Sequence, residues 1–276
     1  KLFHQIFCKQ AKVLCAFSIV VLLSACSGTS EPDAYVERPV EDLYNQALAD
    51  LNNENYGQAA RGFDEVERQY PYSVWSTKAQ IMSAFAYYQS NEYDQAILAA
   101  ERFIELHPGN KDVAYAYYLV AISYYEQITG VERDQKVTRQ ALDALQNLVR
   151  RFPNTEYAQD ARLKIDLTRD HLAGKEMAIG RYYLNQKHIV GAINRFRTVV
   201  EEYQTTTHAP EALHRLTEAY LILGIRDEAQ TAAAVLGYNF PGSEWYEDSY
   251  ALLDKNYLKP EIHEDSWIVK AWKTVF

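Results

Sequence analysis

Apolar residues recur at helical spacing along most of the chain, and one short pattern returns five times. An alanine is followed eleven residues later by an aromatic residue or histidine and, in four copies, by proline at the twelfth. These copies run from Ala59 to Tyr70-Pro71, Ala96 to His107-Pro108, Ala141 to Phe152-Pro153 and Ala229 to Phe240-Pro241. A fifth, Ala192 to Tyr203-Gln204, keeps the aromatic and loses the proline. Phe63, Val66 and Tyr70 follow Ala59, and Phe196, Val199 and Tyr203 follow Ala192. Such spacing places them on one face of a helix of about three turns. Alanine lets two helices approach closely. Proline lacks an amide proton and restricts the residue before it, so it stops the helix. The preceding aromatic can plug the turn against the next unit.

A second amphipathic stretch precedes these helices, at 42–51, 78–88, 113–125 and 211–223. Each unit is thus helix, turn, helix. The alanine-to-alanine steps are 37, 45, 51 and 37 residues, against about 34 for a tetratricopeptide repeat. Two features take up the excess: an insertion at 130–136, and the stretch 156–183, read as one long helix rather than two broken near Ala173-Gly174. A single unit cannot bury its apolar face, so neighbours must stack. The expected fold is all-α: a tetratricopeptide-like right-handed superhelix of five helix-turn-helix repeats over residues 40–241. Residues 242–276 should hold a capping helix at 243–253, with Trp245, Tyr246, Tyr250 and Leu253, and then an aromatic tail. That tail, with Trp267, Ile268, Ala271, Trp272 and Phe276, is either docked on the protein or kept for a partner.

The first residues read differently. Lys1, Lys9 and Lys12 make a basic start without an acid, and the apolar run 13–23 follows. That run is too short to span a bilayer but fits the hydrophobic part of a secretory signal. It ends on Leu23-Ser24-Ala25-Cys26, which looks like a bacterial lipobox; the alternative is a plain cleaved signal with an accidental cysteine. On the first reading, residues 1–25 are a signal peptide, and Cys26 carries covalent N-acyl and S-diacylglycerol lipid. Residues 26–39, with Gly28, Ser30, Pro32 and Pro39, then form a flexible tether. Ser27 stands where an aspartate would retain such a lipoprotein in the inner membrane, which points to the periplasmic face of the outer membrane. Cys8 and Cys15 leave with the signal, so no thiol remains for a disulfide, metal or catalysis. Its loss also removes three lysines from a chain of net charge −9. The acidic remainder argues against nucleic acid.

Catalytic and metal motifs find no support. His107, His171, His188, His208, His214 and His263 include no pair spaced four apart, and no His-Glu-x-x-His pattern occurs. Glu201-Glu202 and Glu247-Asp248 fall on polar faces, and no phosphate loop or Gly-x-Ser-x-Gly elbow is present. A wall-cleaving enzyme would need a catalytic domain for which the repeats leave no room. No cofactor is expected.

Several segments go beyond a generic repeat. They are Arg68-Gln69-Tyr70-Pro71-Tyr72-Ser73, Tyr87-Tyr88, Asp94-Gln95-Ala96 and the run 102–108. Gly130-Val131-Glu132-Arg133-Asp134, the run 151–157 and Asn194-Arg195-Phe196 follow in order. With the lipobox, these make the chain resemble the BamD (ComL) family of outer-membrane β-barrel assembly lipoproteins, over the mature chain to about Gln230. The insertion 130–134 is the most diagnostic part. Gln204, in place of proline, and the tail from Trp245 depart from the family pattern.

The resemblance implies a non-enzymatic scaffold. Its partners would be the barrel-forming subunit with its periplasmic domains, accessory assembly lipoproteins, unfolded outer-membrane proteins and, through lipid, the membrane. C-terminal repeats would hold the barrel subunit, with Arg195 at the position of a family arginine that pairs with an acid on it; solvation of a helix face is the plainer reading of Arg195. N-terminal repeats would receive aromatic-ended substrates in a groove. Tyr72, Trp75, Tyr87, Tyr88, Tyr118 and Tyr125 are the candidates, because aromatic side chains give broad apolar contact with a polar tip. At helical spacing, a core role competes for each. A periplasmic tetratricopeptide adaptor for cell-wall or division proteins is the alternative, and it would ordinarily lack both the lipobox and the insertion.

Overall fold

The computed structural model describes residues 38–273, so Cys26, the expected signal peptide and Phe276 lie outside the described residues. Twelve helices follow one another among the described residues. They pair as α1 (Val40–Asn52) with α2 (Tyr56–Gln69), α3 (Val74–Gln89) with α4 (Tyr93–Leu106), and α5 (Val113–Glu126) with α6 (Lys136–Arg151). Then come α7 (Glu156–Asn185) with α8 (Ile189–Glu202), and α9 (Ala209–Leu223) with α10 (Arg226–Asn239). Two single helices, α11 (Glu244–Lys255) and α12 (Trp267–Lys273), close the chain. This is a tetratricopeptide-like array of five pairs with a cap.

The recurring residues of the sequence act alike in every unit. Tyr70, His107, Phe152, Tyr203 and Phe240 each end a second helix with φ between −133° and −130°, their N–H donating to the carbonyl four residues back. Ser73, Thr155 and Ser243, three residues beyond that aromatic, accept at their side-chain oxygen from the backbone N–H three residues on and so cap the next helix. Gln204, lacking proline's stop, instead donates from Nε2 to the Glu201 carbonyl at 2.8 Å. Within the pairs, the sharp turn carries a left-handed residue at Glu54, Asn91, Lys187 and Gly224. The third pair has the insertion instead.

Packing follows one register. Ala59, Ala96, Ala141, Ala192 and Ala229 are fully buried. So are the residues four positions on (Phe63, Ala100, Leu145, Phe196, Ala233) and seven positions on (Val66, Phe103, Leu148, Val199, Leu236). Each helix therefore presses the same stripe on its neighbours, large side chains alternating with small ones. The segment 156–185 is one continuous helix, as its pattern suggests. Gly180 in it faces Phe196 so closely that an added Cβ would lie 2.4 Å from a ring carbon.

First helices touch in succession, α1 on α3, α3 on α5 and α5 on α7, whereas no comparable contact joins one second helix to the next among the described residues. Clefts consequently open between successive second helices, each floored by a first helix. The cleft of the last two pairs is filled. α12 rests on α8 and α10, with Ile268 fully buried and Trp272 edge-on to Phe240 at 6.0 Å. Trp267 donates from Nε1 to the Tyr220 hydroxyl at 2.9 Å, and the Arg197 guanidinium lies 4.6 Å over its ring. The described part of the aromatic tail, Trp267–Lys273, is thus docked on the protein. Among the described residues, no helix is long and apolar enough to cross a membrane.

Two outcomes follow from this packing. Gly180→Ala must displace Phe196 and should destabilise the protein by about 1–3 kcal/mol in urea unfolding, with helix content retained. The second concerns His214, buried on α9 with Nδ1 2.9 Å from Ser249 Oγ on α11. Burial lowers its pKa and Arg215 adds to this, against the carboxylates of Glu218, Asp248 and Glu211. Below about pH 6.5 the unfolded chain takes up this proton before the folded one does, so stability falls as pH drops through that window. Urea midpoints measured between pH 7.5 and 5.5 should fall less steeply in His214→Gln than in the parent.

Candidate functional site

The second helices are amphipathic, but α5, with the sequence VAYAYYLVAISYYE, carries apolar and aromatic side chains around most of its circumference. Such a helix packs on several sides at once. Its aromatics join those of α3 and α7 in a continuous half-buried band. Phe85 lies 6.5 Å from Tyr115, Tyr115 lies 5.4 Å from Tyr157, and Tyr118 lies 5.2 Å from Tyr157. The Tyr118 hydroxyl donates to Asp160 at 2.9 Å. Lys164 bonds the same carboxylate at 3.0 Å while its ammonium stands 5.4 Å over the Tyr125 ring.

Burial raises the phenol pKa of Tyr115 and Tyr118 well above the usual value, and for Tyr118 the hydrogen bond to Asp160 adds to it. Tyr88 is raised by burial first and then by the nearby Glu126, Tyr93 and Asp160. These phenols therefore stay protonated, and the band offers apolar ring faces with neutral hydroxyl tips.

The structure brings Tyr88, Tyr118 and Tyr125 to this band and sends the other expected groove residues elsewhere. Tyr72 sits fully exposed on the turn before α3. Trp75 packs on Tyr44 at 4.9 Å and belongs to the N-terminal core. Tyr87, one residue before Tyr88 and so about 100° round the helix, points into the cleft between α2 and α4, donating to Asp64 at 2.5 Å. The six residues thus do not share one surface. Sequence reasoning missed Tyr115, Tyr157 and Asp160. The spacing of Tyr115 from Tyr118, and of Tyr157 from Asp160, is one helical turn and carried the signal.

Arg195 on α8 is half-exposed and bonded through Nη1 to Glu176 of α7 at 3.0 Å. That hydrogen bond, set against some burial, raises its pKa. Its charge is therefore shared inside the protein. Elsewhere on the last two pairs, Tyr182, Val190, Ile222, Leu223 and Ile225 stand exposed at helix ends and turns. A cleft of about 520 Å³ there is lined by Arg181, Leu184, Ile189, Arg215, Glu218 and Ile222. Among the described residues, no cluster of His, Cys, Asp and Glu could hold a metal.

Paired helices, a half-buried aromatic band and an apolar rim define a helical-repeat protein of the tetratricopeptide type. The chain belongs to the YfiO family, described as outer membrane lipoprotein, whose profile matches residues 36–236. It is 51% identical over 256 residues to the outer membrane protein assembly factor BamD of Caulobacter vibrioides, covering 92% of this chain and 84% of that one. With the BamD of Rickettsia prowazekii it shares 44% identity over 250 residues, covering 90% and 99%. Among solved structures it is similar to a thermophilic tetratricopeptide protein of Thermus thermophilus, with TM-score 0.36 and 18% identity over 78% of this chain and 98% of that one. The matched profile ends inside α10, so α11 and the docked α12 lie beyond it.

The Tyr118–Asp160 bond ties α5 to α7. A double-mutant cycle of Tyr118→Phe and Asp160→Asn in urea should give a coupling of about 1 kcal/mol; additive effects would remove the bond from the band.

Proposed function

We propose that this chain is a non-enzymatic scaffold of outer-membrane β-barrel assembly, held by lipid on Cys26 at the periplasmic face of the outer membrane. The observation that carries this reading is the 51% identity to an assembly factor over 92% of the chain. In it, the aromatic band of α3, α5 and α7 receives unfolded barrel proteins through their aromatic C-terminal signal. Ring faces supply contact area at low entropic cost, and the hydroxyl of Tyr115, unlike that of Tyr118 which already donates to Asp160, can donate to a backbone carbonyl or a terminal carboxylate. The last two pairs hold the barrel-forming subunit on the exposed apolar rim, a patch of the kind that marks an interface. Arg195 contributes a charge that sets register. Accessory assembly lipoproteins complete the complex.

Detergent extraction of outer membranes and capture of this protein should recover a β-barrel protein with periplasmic domains in stoichiometric amount. Recovery of cell-wall or division enzymes without a barrel protein would overturn the reading. For Arg195 the internal pair must be separated from the external one. Arg195→Glu alone sets two carboxylates together and should lower both stability and barrel-subunit binding. Combining it with Glu176→Arg restores an internal pair, so the melting temperature should recover while binding stays weakened about tenfold or more. Full binding by the swapped protein would take Arg195 out of the interface.

A further inference from the structure

The layer of first helices is continuous except at one joint. Contacts join α1 to α3, α3 to α5, α5 to α7, and α9 to the capping helix α11, but no comparable contact joins α7 to α9 among the described residues. Long side chains span that gap instead. Arg181 of α7 donates from Nη1 to Glu211 of α9 at 2.8 Å. Arg215, one turn along α9, bonds Glu218 at 2.9 Å and approaches the other oxygen of Glu211 at 3.5 Å. Beside this chain of charges lies the cleft of about 520 Å³, with Leu184, Ile189 and Ile222 among its lining residues. Direct packing of the fifth pair on the fourth therefore rests on one seam, α9 against α8.

At that same joint α12 crosses the opposite side. It rests on α8 and α10, two second helices that share no comparable contact of their own among the described residues, and it is fastened to three elements. Arg197 of α8 covers the Trp267 ring, Tyr220 of α9 accepts from its Nε1, and Glu228 of α10 accepts from the Ser266 hydroxyl at 2.6 Å. Thr231 of α10 accepts from the His263 N–H at 3.2 Å, which fixes the segment leading into the helix as well. Ile268 is fully buried, and Val269 and Trp272 are nearly so. A helix of about two turns has no stability alone, so α12 holds its form only through this docking. The joints that have first-helix contacts carry no such helix across their second helices among the described residues. Rocking the fifth pair about the seam of α8 and α9 would open one side as it closes the other, and α12 opposes that motion.

We propose that α12 is a brace that sets the angle between the fourth and fifth pairs, replacing the missing contact of α7 with α9, and so fixes the width of the cleft between those two helices. Filling of that cleft and docking of α12 are then coupled, each acting on the other by the same free energy. Ile222 belongs both to the cleft and to the exposed apolar residues assigned to the barrel-forming subunit. That consequence rests on the assignment, whereas the brace is read on the protein alone.

Spin labels at Lys187 and Arg226, exposed positions at the turns of the fourth and fifth pairs, report the distance between these pairs by double electron–electron resonance. In the full chain the distribution should be single and narrow. Ile268→Glu combined with Trp272→Glu puts two charges into the apolar seat of α12. This variant should broaden the distribution and shift its mean, while hydrogen exchange shows residues 267–273 released. Lys270→Ala, on the exposed side of α12, should change neither. A distribution that stays narrow and unmoved while 267–273 exchange freely overturns the proposal, as does a broad one in the parent. If the double variant loses its helices by circular dichroism, or keeps 267–273 protected, Trp267→Ala decides instead. It removes only the bond to Tyr220 and the contact with Arg197, and a distribution no wider than the parent's then overturns the brace.

Discussion

Everything in this protein hangs on the close approach of helices at one buried alanine per repeat. With Ala59, Ala96, Ala141, Ala192 and Ala229 fully excluded from water, the stripe of residues four and seven positions on fixes how each second helix meets the first helices on either side. Substituting any large member of that stripe by alanine removes about 3–5 kcal/mol for phenylalanine, a large share of the stability of a domain of this kind. Because each repeat contacts only its neighbours, such a loss is felt locally before it spreads. The C-terminal end is the best braced, since the last two pairs, the cap and the tail form one continuous hydrophobic cluster.

The same constraint creates both surfaces available for binding. First helices packed against one another bring their aromatics into a band, and the second helices, splayed apart, leave clefts. Tyr87 and Tyr88 make the division visible, since one residue's step along α3 sends the first to the cleft beside Asp64 and the second to the cluster that holds Phe85 and Tyr115. The protein thus holds two chemically distinct faces. One is lined by rings with neutral hydroxyls; the other is a polar-walled cleft lined by both acids and arginines, Asp64, Glu67, Arg68 and Arg102 among them.

Much of this was legible in the residues. The alanine-aromatic-proline rhythm located every second helix, and one long helix was the favoured reading of 156–183 over two broken near Ala173-Gly174. The glycine is tolerated there because the insertion and His208 crowd its Cα, with Val131 and His208 atoms 3.4 and 3.1 Å from where a Cβ would stand. Periodicity could not rank the tyrosines, because α5 is aromatic on several sides and offers no polar face by which to orient it. Nor could it pair Arg195 with Glu176, which lies nineteen residues away on the preceding helix. The residues alone left the tail either docked or kept for a partner, and could not choose between the two for a related reason. The grip on α12 comes from Arg197, Tyr220 and Glu228, which are ordinary residues on their own helices and meet only when three helices are stacked.

The most direct measurement is hydrogen exchange of the protein with and without an unfolded barrel-protein peptide ending in an aromatic residue. Slower exchange in α5 and the first half of α7, with α8 to α10 unchanged, is the expected result. Slowing confined to α8 to α10, or none at all, would contradict a substrate-receiving role for the aromatic band.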